Sequence, residues 1–246
     1  MEALILAAGF GKRLQPITNS IPKALVEVNG TPLLINTLNN LKAIGIKKAV
    51  IVVGHMRDKI VEKIGFNYNG IEITYVSNNI YDKTNNVYSM WLARDYLDDN
   101  LLMLECDLYY KKELLTEIAK STADCSILTS DFNPKTMDGT VIAVDKALNA
   151  KQLILKKNQD SNFDYKNCKK TVNIYKLSKD FLLKKYLPAI DLYVKTQSVN
   201  SYYELVLGSL IYFENSTIKV INVPENLWNE IDNTDDLKRA ESRFIK

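Results

Sequence analysis

Leu6-Ala7-Ala8-Gly9-Phe10-Gly11-Lys12-Arg13-Leu14, followed by Pro16, Thr18 and Pro22-Lys23, decides how the rest of the chain is read. Ala3 to Ala7 is a short apolar run of the kind that forms a buried strand. It leads into a loop with little side chain at Ala8, Gly9 and Gly11, so backbone N–H groups there can approach a phosphate and donate to it. Arg13 stands just beyond, with a guanidinium able to grip two phosphate oxygens, and Lys23 adds a second, movable cation. Two other phosphate motifs do not fit. A dinucleotide fingerprint needs a third glycine where Leu14 stands, and a P-loop needs Gly-Lys-Ser/Thr, whereas Arg13 follows Gly11-Lys12. A plain glycine turn would account for Gly9 and Gly11 but not for the cations spaced behind them.

Outward from this loop, β-rich apolar runs at Lys48 to Val53, Ile71 to Val76, Leu101 to Glu105 and Cys125 to Ser130 alternate with helix candidates. The helices are Leu33 to Ile44, Asp58 to Ile64, Val87 to Tyr96 and Lys111 to Lys120, the first two stopped by Gly45 and Gly65. Strands separated by helices predict a doubly wound, mostly parallel α/β sheet of Rossmann-like type, with ligands beyond the carboxyl ends of its strands. The second half predicts a smaller mixed-sheet portion: a turn at Met137 to Thr140, then strands at Val141 to Val144, Lys151 to Leu155 and Thr171 to Leu177. Ser178 is an N-cap for a helix toward Gln197, bent at Pro188, and Tyr202 to Ile211 is another helix. A late strand at Ile218 to Val223 and a closing helix at Asp235 to Phe244 complete the chain. We read residues 1–246 as one domain, with a nucleotide-binding half to about residue 135 and an acceptor-binding, closing half from about residue 136.

Composition narrows the classes further. With 46% apolar and 25% charged residues in 246, the chain is globular rather than disordered. No apolar run reaches the roughly 18–20 residues that span a bilayer, and the N-terminus runs directly into glycines without a basic leader, which predicts a cytoplasmic protein without membrane insertion. A net charge of +3 is too mild to imply nucleic acid, although Lys146 to Lys185 holds eleven Lys against three Asp. That stretch reads as a solvated face that also steers anions. Cys106, Cys125 and Cys168 have neither zinc spacing nor an even count, and His55, the single histidine, is a poor basis for a catalytic triad.

Two acidic pairs suit a metal. Glu105-Cys106-Asp107 ends the fourth strand, where continued strand geometry would put Glu105 and Asp107 on one face; far downstream, Glu230 and Asp232 flank Ile231. Two distant carboxylates at one sheet edge would suit Mg²⁺, a hard cation that also binds substrate phosphates. Either pair alone fits a solvated strand end equally well, and Asp232 is a candidate cap for the last helix.

The segment from Leu6 to Lys23 resembles, without gaps, the LAAGxGxRLxPxTxxxPK signature of the nucleotidyltransferase (sugar-nucleotide pyrophosphorylase-like) superfamily. The resemblance implies a triphosphate on Ala8, Gly9, Gly11 and Lys12, with Arg13 and Lys23 as the catalytic cations. It also implies a metal on Asp107 and Asp232, with Glu105 and Glu230 behind them. Asn85-Asn86-Val87-Tyr88-Ser89 and Leu227 to Asn233 resemble stretches of the bacterial phosphocholine cytidylyltransferases, which puts Asn85 and Asn86 with the nucleotide. Met137 to Thr140, Lys170 to Tyr175 and Tyr202-Tyr203-Glu204 look like the cytidylyltransferases of phosphonate biosynthesis. Asp138, Tyr202, Tyr203, Glu204 and Glu230 are then the expected acceptor residues, two aromatic faces and carboxylates receiving an ammonium group. Where the choline enzymes place an aromatic residue, Gly139 has no ring and Asp138 offers a charge, which leans toward 2-aminoethylphosphonate over phosphocholine.

The expected reaction is Mg-dependent transfer of CMP from CTP to a small amino-alkyl phosphonate or phosphate monoester, with pyrophosphate released. The alternatives are a hexose-1-phosphate nucleotidylyltransferase and, of another class, a non-catalytic nucleotide-binding regulatory module. A GT-A-type glycosyltransferase is disfavoured by the glycine signature, despite the D-x-D-like Glu105-Cys106-Asp107. The sequence leaves oligomeric state open, a homodimer included.

Overall fold

The computed structural model describes residues 1–133 and 136–245; the boundary expected near residue 135 lies outside them. In the first part, β1 (Glu2–Ala7), β2 (Glu27–Val28), β3 (Thr31–Pro32), α1 (Leu33–Ala43), β4 (Lys48–Val53), α2 (Arg57–Ile64), β5 (Asn67–Tyr68), β6 (Ile71–Ser77) and α3 (Asn86–Ala93) follow in order. Next come β7 (Leu101–Glu105), β8 (Leu108–Tyr110), α4 (Glu113–Ala119) and β9 (Cys125–Asp131). The second part holds β10 (Val141–Val144), β11 (Ala150–Ile154), β12 (Cys168–Leu177), α5 (Lys179–Phe181), α6 (Leu187–Thr196), α7 (Tyr203–Glu214), β13 (Lys219–Asn222), β14 (Trp228–Glu230) and α8 (Thr234–Arg243).

The main sheet runs β11-β10-β12-β7-β1-β4-β6-β5, with β9 and then β13 on the other edge of β12. Its centre is parallel: β1 pairs with both β4 and β7, and β4 with β6. The chain goes from β1 outward to β4 and β6, then returns to lay β7 on the opposite side of β1. That reversal opens a crevice beyond the carboxyl ends of β1 and β7, where open α/β sheets bind ligands. β1 is buried on both faces: Ala3, Ile5 and Ala7 join one core with α1, α2 and α4, while Leu4 and Leu6 join the other with α3, α6 and α7. The mixed portion is continuous with this sheet, because β12 lies antiparallel between β7 and β9.

Two expected details differ. The helix after Ser178 is capped as expected, Ser178 Oγ accepting from Phe181 N at 3.2 Å, but a π-helical turn at Leu182–Tyr186, closed by Leu187 N donating to Leu182 O, stands between α5 and α6, and Pro188 lies in the first turn of α6. Asp232 does not cap α8. Asn233 does, its Oδ1 accepting from Asp235 N at 2.9 Å and Asp236 N at 3.0 Å while Asp236 Oδ2 accepts from Asn233 N at 3.1 Å. Asp232 is thereby left to the crevice.

Candidate active site

The glycine loop is shaped by contacts no other residue type would allow. Gly11 sits at φ 69°, and a Cβ there would stand 2.9 Å from Lys23 Cβ, so the loop and Lys23 are packed through the absent side chain. Thr18 Oγ1 donates to Gly11 O at 2.9 Å, and His55 N donates to Ala8 O at 3.1 Å. Gly54 has a similar role: its Cβ would lie 2.7 Å from Ala8 O. His55 is buried and stacks on Phe10 with ring centroids 4.0 Å apart, a support beneath the loop rather than a catalytic base.

Above the loop is a cavity of about 370 Å³ lined by Ala8, Gly9, Gly11, Lys12, Arg13, Lys23, Asn85 and Asn86, together with Asp107 and Asp232. All the nucleotide residues expected from the sequence therefore meet in one place. Asn78, Tyr81, Thr84 and Ser89 line the same cavity and were not foreseen. Asn78 Nδ2 donates to Thr84 Oγ1 at 2.9 Å and to Ser89 Oγ at 3.2 Å, a polar cluster that β6 delivers at its end without any motif to announce it.

The two acidic pairs are joined by a separate two-stranded ribbon. β8 pairs antiparallel with β14, Leu108 opposite Glu230, and Ile231 N donates to Asp107 O at 2.8 Å. Ile231 packs with Leu14, Val28, Tyr109 and Phe244 in a small core of its own, so the residues beside Leu14 and Ile231 in sequence, Arg13 and Asp232, are set side by side. Arg13 Nη2 lies 2.8 Å from Asp232 Oδ1. Lys23 Nζ stands between the carboxylates, donating to Asp107 Oδ2 and to Asp232 Oδ1, each at 2.8 Å. Burial alone would lower the ammonium's pKa, but the facing Asp107 and Asp232 outweigh it and hold it raised. Burial likewise pushes Asp232 up, yet Lys23 and then Arg13 hold its carboxyl below the usual range. The Glu105-Cys106-Asp107 segment is not continued strand: β7 ends at Glu105, and a turn at Cys106-Asp107 presents Asp107 to Lys23.

Beyond this cation lies a second cavity, of about 440 Å³, where Asp138, Tyr202, Glu204 and Glu230 meet Lys170, Asn173 and Thr140. Tyr202 lines both cavities and forms part of their junction. Asp138 is at the rim, paired with Lys156 at 3.0 Å. Glu230 faces Lys170 at 3.1 Å, and Glu204 accepts from Thr140 Oγ1 at 3.5 Å. Burial pushes the Glu230 carboxyl up to about 7 against the pull of Lys170. Tyr203 departs from expectation. It is fully buried, lines neither cavity, and donates its hydroxyl to Glu105 Oε1 at 2.7 Å. The first turn of α7 rotates it inward beside Tyr175, so its ring is core and only its hydroxyl serves the site. Glu105 also accepts from Asn86 Nδ2 at 3.1 Å, and Asn86 Oδ1 accepts from Tyr203 N at 3.0 Å. Burial, with Asp107 and Glu204 close by, raises the Glu105 carboxyl well above its ordinary range.

The donor set fits a hard divalent cation. Asp107 Oδ1 is buried with no hydrogen-bond partner, and both carboxylates already share one positive charge at close range. Among the described residues no three Asp, Glu, His or Cys side chains gather as a metal cage, so the protein would supply two carboxylates and leave the other positions to phosphate and water, the habit of Mg²⁺.

A glycine loop and cations at a strand-order reversal, facing acids across the crevice, define an α/β protein built to handle nucleotides. The chain belongs to the nucleotidyl transferase family, whose model matches residues 2–186. It is 31% identical over 99% of its length to the CMP-5'-(3-aminopropyl)phosphonate synthase of Streptomyces rubellomurinus, of which it spans 39%. It is 33% identical to the 2-aminoethylphosphonate cytidylyltransferase of Lancefieldella rimae over 46% of this chain and 45% of that one. The chain thus spans less than half the length of either relative. In fold it is similar to the CTP:phosphocholine cytidylyltransferase of Streptococcus pneumoniae, with a TM-score of 0.74 at 22% identity over 98% of this chain and 97% of that one. Among the described residues no helix is long and apolar enough to cross a membrane.

Proposed function

We propose that this protein transfers CMP from CTP to a small amino-alkyl phosphonate, with 2-aminoethylphosphonate favoured over phosphocholine, and releases pyrophosphate. The observation that carries this reading is the position of Lys23 Nζ, 2.8 Å from both Asp107 and Asp232. Asp107 and Asp232 line both the glycine-loop cavity and the Glu204 and Glu230 cavity. Two of the named relatives carry an amino-alkyl phosphonate in their names and the structural neighbour carries phosphocholine, and the chemistry of the second cavity supports the former class of acceptor.

In the reaction an acceptor phosphonate oxygen attacks the α-phosphorus of CTP as the bond to the β-phosphate oxygen breaks, and the electron pair departs with pyrophosphate. The attacking oxygen is already ionised near neutral pH, so no general base is needed; positioning and charge neutralisation carry the rate. A divalent ion on Asp107 and Asp232 supplies charge neutralisation at the phosphates when bound. The loop N–H groups of Ala8 to Gly11 hold the triphosphate, Lys23 donates to the α-phosphate, and Arg13 receives the departing pyrophosphate charge. Asn85 and Asn86 border the nucleoside, while Asp138, Tyr202, Glu204 and Glu230 surround the acceptor's far end.

A pyrophosphate-release screen tests this, with four nucleoside triphosphates against 2-aminoethylphosphonate, phosphocholine, phosphoethanolamine and glucose-1-phosphate in Mg²⁺ buffer. Release with CTP and the phosphonate is expected. Release with glucose-1-phosphate alone would replace the reading with a hexose-1-phosphate nucleotidylyltransferase. No release with any pair, while nucleotide still binds, would leave a nucleotide-binding regulatory module.

A further inference from the structure

β12 is interrupted where it passes the second cavity. Its register against β9 shifts between Thr171 and Tyr175, and Asn173 in that bulge adopts φ 59°, a left-handed conformation that asparagine tolerates better than most residues. The bulge turns the Asn173 amide into the cavity wall. Its Nδ2 donates to Glu230 Oε1 at 3.2 Å, which leaves Oδ1 on the other branch of the amide. Asn173 Oδ1 is buried and has no hydrogen-bond partner; Glu204 Oε2, on the same cavity, is in the same condition. Asn173 is 7% exposed and Glu204 4%. Leaving two buried acceptors without donors is costly, and a ligand that brings N–H donors can satisfy both.

We propose that Asn173 Oδ1 and Glu204 Oε2 form a seat for the primary ammonium of the acceptor, with Asn173 the specificity-determining residue that separates it from a quaternary ammonium. The inference rests on the acceptor class proposed above and deepens it. A primary ammonium has three donors and fills both positions; a trimethylammonium has none and leaves both acceptors bare. Aromatic rings are the usual partners of a quaternary group, and among the described lining residues of this cavity Tyr202 is the single aromatic side chain, with Tyr203 turned into the core. The seat is therefore one of oxygen acceptors, not of ring faces.

The test is calorimetric titration of the full chain in Mg²⁺ buffer with 2-aminoethylphosphonate, ethylphosphonate and phosphocholine, alongside pyrophosphate release. Wild type should bind the amine at least tenfold more tightly than either of the others. Asn173→Gly keeps the left-handed backbone while deleting the amide, and should lose most of that preference with ethylphosphonate affinity unchanged. Glu204→Gln should lose it too, and serves if the glycine variant fails to fold. Equal affinity for amine and desamino ligands, absence of binding by all three, or an undiminished preference in both variants overturns the seat. Loss of the wider reading looks different: the amine still binds preferentially, but no pyrophosphate appears.

Discussion

The glycine-loop cavity and the Glu204–Glu230 cavity share a border at Asp107 and Asp232 yet are built in different ways. The phosphate-gripping wall of the first is a local device. Residues 8 to 23 supply its glycines, Arg13 and Lys23 within one short excursion from β1, braced through Gly54 and His55, while the facing wall comes from the end of β6 and the start of α3. The second is an assembly of remote pieces: the β12 bulge, the first turn of α7, the turn after β7 and the β8–β14 ribbon. A site made locally is spelled out in adjacent residues. A site made by assembly depends on contacts far from its own walls, such as Leu14 against Ile231 and the Tyr203 hydroxyl on Glu105.

The largest effect should come from the cation held between the two shared aspartates. Lys23→Ala is expected to lower turnover by about 10²–10³-fold, the usual loss for one electrostatic donor, and to lower the melting temperature because Asp107 and Asp232 then lack the ammonium they share. Millimolar Mg²⁺ should recover part of the melting temperature but not the rate. Recovery of both would make Lys23 merely a spacer between acids.

Next in size is a pH dependence confined to the assembled cavity. Burial pushes the Glu204 carboxyl up to about 7, with Glu230 adding to the rise and Lys170 and Thr140 opposing it. Tyr175 on β12, Tyr186 in the π-helical turn, Glu105 on β7 and Tyr203 on α7 also lie within its field. Below that pKa the carboxyl is neutral and attracts no ammonium; above it the carboxylate does. The KM for an amine-bearing acceptor should therefore fall about tenfold from pH 6 to pH 8, as the ionised fraction rises from about a tenth to about nine tenths. The KM for CTP should change little. A flat acceptor profile in wild type would detach Glu204 from the acceptor.

Smaller effects separate local from assembled construction. Gly11→Ala puts a Cβ against Lys23 at a positive φ, a strain of about 1–3 kcal/mol, and should weaken CTP binding about tenfold with acceptor KM unaltered, as read by nucleotide titration. Tyr203→Phe should do the reverse on a smaller scale: a few-fold rise in acceptor KM, unchanged CTP affinity, and a loss of about 1–3 kcal/mol in urea unfolding from the bond to Glu105. If Tyr203 were instead a ring wall for the acceptor, phenylalanine would leave acceptor KM where it was.

The same contrast explains what was legible in the sequence. The order of β1, β4, β6 and β7 followed from apolar runs broken by Gly45 and Gly65, and β4 and β7 have the bounds that their runs predict. The loop residues and the two aspartates were legible because their spacing is itself the motif. The ribbon was not: β8 and β14 are three residues each, too short for periodicity, and nothing in Leu108 to Tyr110 names its partner at Trp228. Tyr203 was misplaced because adjacent tyrosines at a helix start point in different directions, and a sequence does not say which one faces inward. Asn173 lay inside the Lys170 to Tyr175 resemblance but was not singled out from it, since its orphan oxygen exists only once β12 bulges against β9.

The ribbon between β8 and β14 also sets a schedule. Asp107 follows β1, β4, β6 and β7 directly in the chain, whereas Asp232 follows β14, well over a hundred residues later. Until Ile231 docks beside Leu14, the glycine loop faces a single one of the two aspartates. Under the proposed function, a complete crevice thus waits on the segment that carries β14.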